Sequence, residues 1–359
     1  MAQAFGIVSF AGNNIRVGEM QNYRPVGAVS FLGRYRVIDF PISNMSNSEI
    51  EHIQVYVEHV GTGRHYNINS KSGRLHILYS DFENAEWSVY NNDLAAYEEN
   101  MECIEAVKYP YVVIAPSYMI YTQNYDELLK THIESGADIT LLYHSVDNAK
   151  EYYLNCSTLN LNKQKGVLSL EPNHGNAKNR NIFMDTYVMR KDLFMELVKK
   201  GRKISSMFTL NDIVNMACSE LDVRGVSHRG FFASITDFTS YYNANLSLID
   251  MKNAVTLFDK NWPIYTRTND SCPTKYYEGA SVKRSVISNG CLIEGTVENS
   301  VIGRGCVIKK GAVVKDSVIL PGVVIGEDAR IEAQVVDKSA RIVHAKELIA
   351  DPEKPGYVR

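Results

Sequence analysis

Short apolar runs alternate with amphipathic stretches over about the first two thirds of the chain. The runs with the character of buried strands lie at residues 4–10, 52–57, 111–115, 138–143 and 183–189. Helical spacing is found between them, at residues 93–107 and 124–134. Strands that alternate with helices are typical of a mostly parallel sheet covered by helices on both faces. We therefore predict an α/β domain over residues 1–255.

The pattern changes after a turn-rich segment that predicts a linker at residues 256–278. Over residues 279–345, aliphatic residues recur every six positions, with small or turn residues between them. These positions are Ile302, Ile308 and Val314, then Ile319, Ile325 and Ile331, then Val336 and Ile342. The spacing predicts a left-handed parallel β-helix of hexapeptide repeats, followed by a C-terminal tail at residues 346–359.

An ordinary β-domain with accidental spacing is the alternative, but the six-residue register holds within three separate blocks. A β-helix buries its aliphatic column and leaves flat faces and open strand edges. Such surfaces commonly become subunit contacts, so we expect an oligomer.

Composition narrows the class of protein. Hydrophobic residues make up 45% of the 359, which is enough for a real core, and the net charge is only −3. Because no basic tract is present, nucleic acid and anionic membranes are disfavoured as partners. The six cysteines include no C-x-x-C pair, which disfavours zinc sites and thioredoxin-like redox sites. Scattered thiols in a chain of this size predict a reducing compartment, the cytoplasm. The N-terminal sequence predicts neither a signal peptide nor a membrane span.

Residues 31–48 carry the most specific motif, FLGRYRVIDFPISNMSNS. It resembles FGGKYRIIDFPLSN of bacterial glucose-1-phosphate adenylyltransferase (ADP-glucose pyrophosphorylase). Residues 230–248, GFFASITDFTSYYNANLSL, resemble the same family's GYWRDVGTIDAYWEANL. The resemblance covers nearly the whole chain. It implies a Rossmann-like nucleotidyltransferase domain and cytoplasmic glycogen synthesis from ATP and glucose 1-phosphate, usually by a tetramer.

Positions to which the resemblance assigns catalytic chemistry are altered. Ser117 and Ser234 stand where the family has the aspartates that hold Mg²⁺, and Val26 stands where it has a lysine. Mg²⁺ requires hard, charged oxygen ligands, which a neutral hydroxyl does not supply. A shifted register would make Asp237 the second ligand, but it would break the match at Y-x-x-A-N-L. We therefore predict no catalytic residues, no metal and no cofactor.

The nucleotide loop and the sugar-phosphate motifs are altered as well. Gly12 and Arg16 match the family's A-G-G-x-G-x-R-L loop, whereas Asn14 replaces a glycine that allows close approach of phosphates. We interpret this segment as a nucleotide-loop remnant, with a plain strand-to-helix turn as the alternative. Residues 168–172 lack the lysine that pairs the sugar phosphate, and residues 92–96 lack the family's acid.

Arginines persist elsewhere. Arg24 and Arg36 correspond to family positions that bind anionic effectors, and guanidinium groups suit phosphate because they form paired, planar hydrogen bonds. We predict an anion site from Arg24, Arg36 and Lys338, between the two domains. Solvated or structural arginines are the alternative.

A fold retained without its chemistry resembles the regulatory, non-catalytic D-type subunit of this family. That resemblance implies a catalytic partner subunit, a phosphate or sugar-phosphate effector and a hetero- or homotetramer. One alternative is an active nucleotidyltransferase with other ligands, for which Asp237 with Asp212 or Asp185 are the candidates. The other is a hexapeptide-repeat acyltransferase, which would have to use His344 at the end of the repeats.

Overall fold

The structure is a computed structural model that describes residues 3–12, 15–57, 75–79 and 92–359. Thirteen strands precede the β-helix in the described part. They are β1 Ala4–Ser9, β2 Ser30–Phe31, β3 Tyr35–Arg36, β4 Ile53–Val57, β5 Leu75–Tyr79, β6 Tyr111–Pro116, β7 Met119–Tyr121, β8 Ile139–Val146, β9 Ser157–Leu161, β10 Val167–Pro172, β11 Arg180–Arg190, β12 Val223–Ser227 and β13 Phe232–Ser234.

The helices of the same region are α1 Asp39–Asn47, α2 Asp93–Glu99, α3 Met101–Glu105, α4 Tyr125–Ser135, α5 Lys191–Ile204, α6 Leu210–Ala217, α7 Phe238–Ser247 and α8 Met251–Leu257. The single helix predicted at residues 93–107 is two helices. The break falls at Asn100, whose side-chain amide donates to the carbonyls of Tyr79 and Ala96 at 3.0 and 2.9 Å. Among the described residues, every helix is too short or too polar to cross a lipid bilayer.

Nine strands form the central sheet, in the order β10-β9-β11-β6-β1-β4-β5, with β8 beside β11 and β12 beside β8. Strands β1, β4, β5, β6, β8, β9 and β12 run in one direction, and β10 and β11 run in the other. The sheet is therefore mostly parallel, as the sequence predicted. One hydrophobic core lies on the face covered by α1, α4 and α7, and a second lies under α2, α5 and α6.

The C-terminal region is a left-handed parallel β-helix with three five-stranded faces. Its strands are β14 Lys275–Tyr276, β15 Ser281–Lys283, β16 Val286–Ile287, β17 Leu292–Ile293, β18 Thr296–Glu298, β19 Val301–Ile302, β20 Val307–Ile308, β21 Val313–Lys315, β22 Val318–Ile319, β23 Val324–Ile325, β24 Arg330–Glu332, β25 Gln334–Val336, β26 Arg341–Ile342, β27 Glu347–Ile349 and β28 Gly356–Val358.

The predicted aliphatic column forms the inside of this β-helix. Ile302, Ile308 and Val314 lie on three different faces of one coil, and each is fully buried. The next coil repeats them, so that Ile302 pairs with Ile319 and Ile308 with Ile325. The coils extend beyond the predicted limits of 279–345. Strand β14 lies in the predicted linker, and β27 and β28 lie in the predicted tail, where backbone pairing continues after the six-residue spacing ends.

One face of the β-helix packs directly on the α/β domain. Val301, Val318 and Val335 point away from the β-helix interior and belong to the core of the α/β domain. Gly33 lies at this contact with φ +67°, and a Cβ there would lie 2.8 Å from the carbonyl oxygen of Ile302. The position therefore requires glycine for both backbone conformation and space.

Candidate functional site

A cavity of about 500 Å³ opens beside the carboxyl ends of β1 and β6. We call it the cleft. The carboxyl ends of parallel strands are where ligands usually bind in sheets of this kind. Three carboxylates line it, from Asp93, Asp185 and Asp212, and no lysine, arginine or histidine lines it among the described residues.

Ser117 and Ser234 lie close to the cleft but do not line it. Ser117 follows β6 and is 2% exposed, and its hydroxyl has no hydrogen-bond partner among the described residues. Ser234 ends β13 and is 5% exposed, and its hydroxyl accepts from Cys156 Sγ at 3.4 Å. Strand β13 pairs with β7, where Ser234 is opposite Met119, so the structure brings the two serine segments side by side.

Asp185 occupies an unusual backbone position in the cleft. It lies at a β-bulge in β11 with φ +42°, in the left-handed region that aspartate tolerates better than most residues. Its carboxylate accepts a hydrogen bond from the Tyr118 hydroxyl. Burial and the neighbouring Asp93 raise the pKa of Asp185 to about 7.

The other two carboxylates are tied to the start of α6. Asp93 accepts from the backbone N–H of Leu210 at 3.1 Å, and burial raises its pKa to about 6. Asp212 accepts from the backbone N–H of Thr209 at 2.9 Å, as part of a capping box. The hydrogen-bond partners of these carboxyl groups are therefore protein N–H and O–H donors rather than basic side chains.

These residues do not fit the Mg²⁺ that the family resemblance implies. No group of three or more histidine, cysteine, aspartate or glutamate side chains could hold a metal within the described part of the chain. Asp237, the alternative ligand, caps α7 by accepting from Ser240 N at 2.7 Å and does not line the cleft. Of that alternative set, only Asp185 and Asp212 lie in the cleft.

The predicted nucleotide-loop remnant is only partly assembled at the cleft. Gly12 lines it, and its carbonyl accepts from Ile15 N at 3.0 Å. Arg16 is exposed and does not line the cleft, and its backbone N–H donates to Thr236 O at 3.0 Å. Asn14 lies outside the described residues. Val26 is 2% exposed and packs in the core of the α/β domain.

A second cavity, of about 760 Å³, lies between the α/β domain and the β-helix. We call it the junction cavity. Its basic lining residues are Arg24, Arg34, Arg36, Arg267, Arg304 and Lys338, and no described acidic residue lines it. The three residues of the predicted anion site thus share one cavity. The sequence did not indicate Arg267 or Arg304, because they reach the cavity from the linker and from a β-helix turn.

Two of the arginines form ion pairs with buried aspartates. Arg24 pairs with Asp337 at 2.6 Å, while its Nη1 has no hydrogen-bond partner among the described residues. Arg36 pairs with Asp39 at 2.9 Å, and Thr266 donates to the same carboxylate at 2.6 Å. These contacts fix the guanidinium groups in place at the wall of the cavity.

Like charges crowd the junction cavity. Burial and the adjacent Arg24 lower the pKa of Lys338 below its usual value. Burial and the adjacent Arg34 likewise lower the pKa of Arg304. An anion would relieve both effects, since it would favour the charged form of each group. The cavity therefore has the chemistry of an anion site.

Both domains of the chain match known protein families. Residues 10–249 match the nucleotidyl transferase family, and residues 273–355 match the GlmU-like C-terminal hexapeptide family. A glucose-1-phosphate adenylyltransferase of Clostridioides difficile is 30% identical over 336 residues, which cover 90% of this chain and 86% of that protein. The chain belongs to the glucose-1-phosphate adenylyltransferase family.

Other relatives carry the same name. The protein from Fervidobacterium nodosum is 29% identical over 355 residues, covering 95% of this chain and 84% of its own length. The protein from Bacillus cereus is 27% identical over 360 residues, which cover 96% of this chain and 93% of that protein. The similarity to this family thus extends over both domains and includes the segments that contain Ser117 and Ser234.

Proposed function

We propose that this chain is a regulatory, catalytically degenerate subunit of glucose-1-phosphate adenylyltransferase in bacterial glycogen biosynthesis. In this role it modulates a catalytic partner subunit that makes ADP-glucose from ATP and glucose 1-phosphate. The observation that carries the proposal is the pair of buried, neutral serines, Ser117 and Ser234, at the positions where metal carboxylates are expected.

The charge of the cleft supports the same conclusion. Nucleotidyl transfer depends on positioning phosphates and neutralising their charge. Asp93, Asp185 and Asp212 line the cleft, and the described residues supply no basic side chain against them. A triphosphate and a sugar phosphate would meet repulsion there instead of neutralisation.

The junction cavity supports a regulatory role. Its basic groups come from the α/β domain, the linker and the β-helix, so a phosphate-bearing effector would contact all three at once. We propose that Arg24, Arg36 and Lys338 bind such an effector, together with Arg304. The effector is an inorganic phosphate or a sugar phosphate, since guanidinium groups pair with phosphate oxygens.

The test is coexpression with a catalytic homologue that has both metal aspartates. We expect a mixed oligomer on size-exclusion chromatography, with altered effector response or apparent substrate affinity compared with the catalytic homo-oligomer. If the two proteins elute separately at micromolar concentration and the catalytic kinetics are unchanged, the regulatory proposal fails.

An active transferase with other ligands is the second candidate, because Asp185 and Asp212 lie together in the cleft. It predicts Mg²⁺-dependent ADP-glucose formation by this chain alone, which Asp185→Asn would abolish. The regulatory proposal predicts that the same variant changes nothing in that assay.

A further inference from the structure

The most specific motif of the sequence, at residues 31–48, is described in full and lies outside the lining of the cleft. Its helical part is α1, whose polar side chains include Asp39, Ser43, Asn44 and Asn47. At about 100° of rotation per residue, these four fall within about 140° of the helix circumference and share one face. Asp39, Ser43 and Asn44 are fully buried. Buried polar groups are normally paired, so their partners indicate what the motif does.

The partners of this polar face lie in the linker, at residues 262–266, which we call the linker segment. Ser43 Oγ accepts from Tyr265 N at 2.8 Å, and it donates to Tyr265 O at 3.4 Å. Asn47 Nδ2 donates to Pro263 O at 2.9 Å. Two side chains of the helix thus pair with the backbone of the linker segment, as a neighbouring strand would do in a sheet.

Side-chain hydrogen bonds also fix both ends of the linker segment. Trp262 Nε1 donates to Asn44 Oδ1 at 3.0 Å at one end, and Thr266 Oγ1 donates to Asp39 Oδ2 at 2.6 Å at the other. Between them, Ile264 packs against the core of the α/β domain. The linker segment is therefore bound to α1 along its whole length, although its composition predicted only a turn-rich connection.

The end of this segment leads directly into the junction cavity. Four linker residues line that cavity, namely Thr266, Arg267, Asn269 and Ser271. Asp39 accepts from Thr266 and also pairs with Arg36, so one carboxylate fixes a linker residue and a cavity arginine together. The backbone carbonyl of Arg267 accepts from Arg304 Nη1 at 3.4 Å, which joins the linker to the β-helix. The seating of the linker on α1 therefore determines where Arg267 lies at the cavity wall.

We propose that Ser43 and Asn44 are positioning residues of the anion site in the junction cavity. They hold the linker segment on α1, and the linker in turn presents the guanidinium group of Arg267 to a bound anion. Ser43 and Asn44 do not line the cavity themselves. Because only the seated linker is competent to bind, unseating it raises the measured Kd in proportion. This inference rests on the proposed anion site and adds the residues that set its geometry.

The test is a calorimetric titration of the full chain alone with inorganic pyrophosphate, at low salt and below the unfolding temperature of each variant. Ser43→Ala removes both bonds to the backbone of Tyr265, so the Kd for pyrophosphate should rise about threefold to tenfold. Trp262→Phe keeps an aromatic ring and removes only the bond to Asn44. It should raise the Kd about twofold to fivefold, and it provides a second measurement should Ser43→Ala fold poorly.

Ser46→Ala is the matched control. Ser46 lies on the same helix as Ser43, and its buried hydroxyl has no hydrogen-bond partner among the described residues. The substitution is chemically the same as Ser43→Ala but leaves the linker segment seated, so the affinity for pyrophosphate should not change. A loss equal to that of Ser43→Ala would overturn the positioning role, because it would show a general effect of altering α1.

A double-mutant cycle distinguishes positioning from a loss of stability. Arg267→Ala should itself weaken pyrophosphate binding about fivefold, as the loss of one charge-assisted contact. If Ser43 acts through Arg267, Ser43→Ala should cost less than about twofold in the Arg267→Ala background. An undiminished effect there, or unchanged affinity in Ser43→Ala alone, overturns the positioning role and leaves the anion site intact. If the wild type shows no saturable binding of pyrophosphate, the anion site fails and this inference fails with it, whereas the coexpression test still decides the regulatory role.

Discussion

The two cavities of this molecule have opposite chemistry. The cleft is lined by three carboxylates and by no described basic residue, whereas the junction cavity is lined by five arginines and one lysine and by no described acid. Among the described residues, the positive charge that would suit an anion lies at the contact between the domains and not in the cleft. The difference is one of position: the acidic side chains lie at the carboxyl ends of the sheet strands, and the basic side chains lie where the two domains meet.

The largest expected effect concerns turnover, and it tests whether the cleft has lost its original chemistry. The chain alone, with ATP, glucose 1-phosphate and Mg²⁺, should form ADP-glucose at least about 10²-fold more slowly than a catalytic homologue, because one lost electrostatic ligand typically costs that much. A coupled pyrophosphate-release assay measures this. A rate within tenfold of the homologue, in a preparation free of that homologue, would show that the cleft still catalyses nucleotidyl transfer.

The next effect is on stability and concerns the wall of the junction cavity. Arg24→Ala should lower the free energy of unfolding by about 3–5 kcal/mol, because it leaves the Asp337 carboxylate buried without its cation. Asp337 is only 1% exposed, and Tyr357 remains as a neutral donor at 2.6 Å. Urea denaturation measures the change.

Arg267→Ala is the control for this prediction, since Arg267 lines the same cavity but is exposed. It should change stability by no more than about 0.5 kcal/mol. Equal losses in the two variants would mean that the Arg24–Asp337 pair has no special structural role.

A smaller effect tests the charge of the cleft through pH. The pKa of Asp185 is raised from 3.8 to about 7, so the folded state binds this proton more tightly than the unfolded state does. The contribution of Asp185 to folding stability should therefore fall as pH rises from about 4 to about 7, and this loss should persist above that range.

Asp185→Asn removes that ionisation. The stability of the variant relative to the wild type should rise by about 1–3 kcal/mol between pH 4 and pH 8, a range that allows for the contact of the side chain with water in the cleft. Thermal denaturation at both pH values measures it, with Asp192→Asn as the control. A constant difference between variant and wild type would indicate an ordinary pKa for Asp185.

The smallest effect concerns anion affinity in the junction cavity. Lys338→Gln should weaken binding of pyrophosphate about fivefold, the equivalent of roughly one charge-assisted contact of about 1 kcal/mol. Added salt should narrow the difference between variant and wild type, because it screens exposed charges. Calorimetry can measure both, and Arg341→Gln, an exposed β-helix position outside the cavity, should leave affinity unchanged.

Much of the fold could be predicted because it rests on periodic burial. The strands at residues 4–10 and 111–115 and the six-residue column of Ile302, Ile308 and Val314 follow from side-chain spacing alone. The ends of the β-helix could not be located in this way. Strand β28 is held by backbone pairing with β25, and such pairing places no constraint on which side chains occur.

The candidate sites were less predictable, because they depend on residues from distant segments. Arg24, Arg36 and Lys338 could be named from the motif and the repeat, but Arg304 joins them only through the way the β-helix docks. The motif comparison did not indicate Asp93, because it tests for the family's acid at one position of residues 92–96 and Asp93 lies at another. The structure places the carboxylate of Asp93, the second residue of that segment, in the cleft.

The valines that join the two domains also constrain how the polypeptide is made. Val301, Val318 and Val335 complete the core of the α/β domain, although they follow it in the sequence by tens of residues. A nascent chain that has just emerged up to α8 therefore leaves apolar surface uncovered until four coils of the β-helix, β14 to β25, have been translated. Synthesis that stalls in that interval would yield a species prone to aggregation, so folding should depend on the ribosome reaching β25.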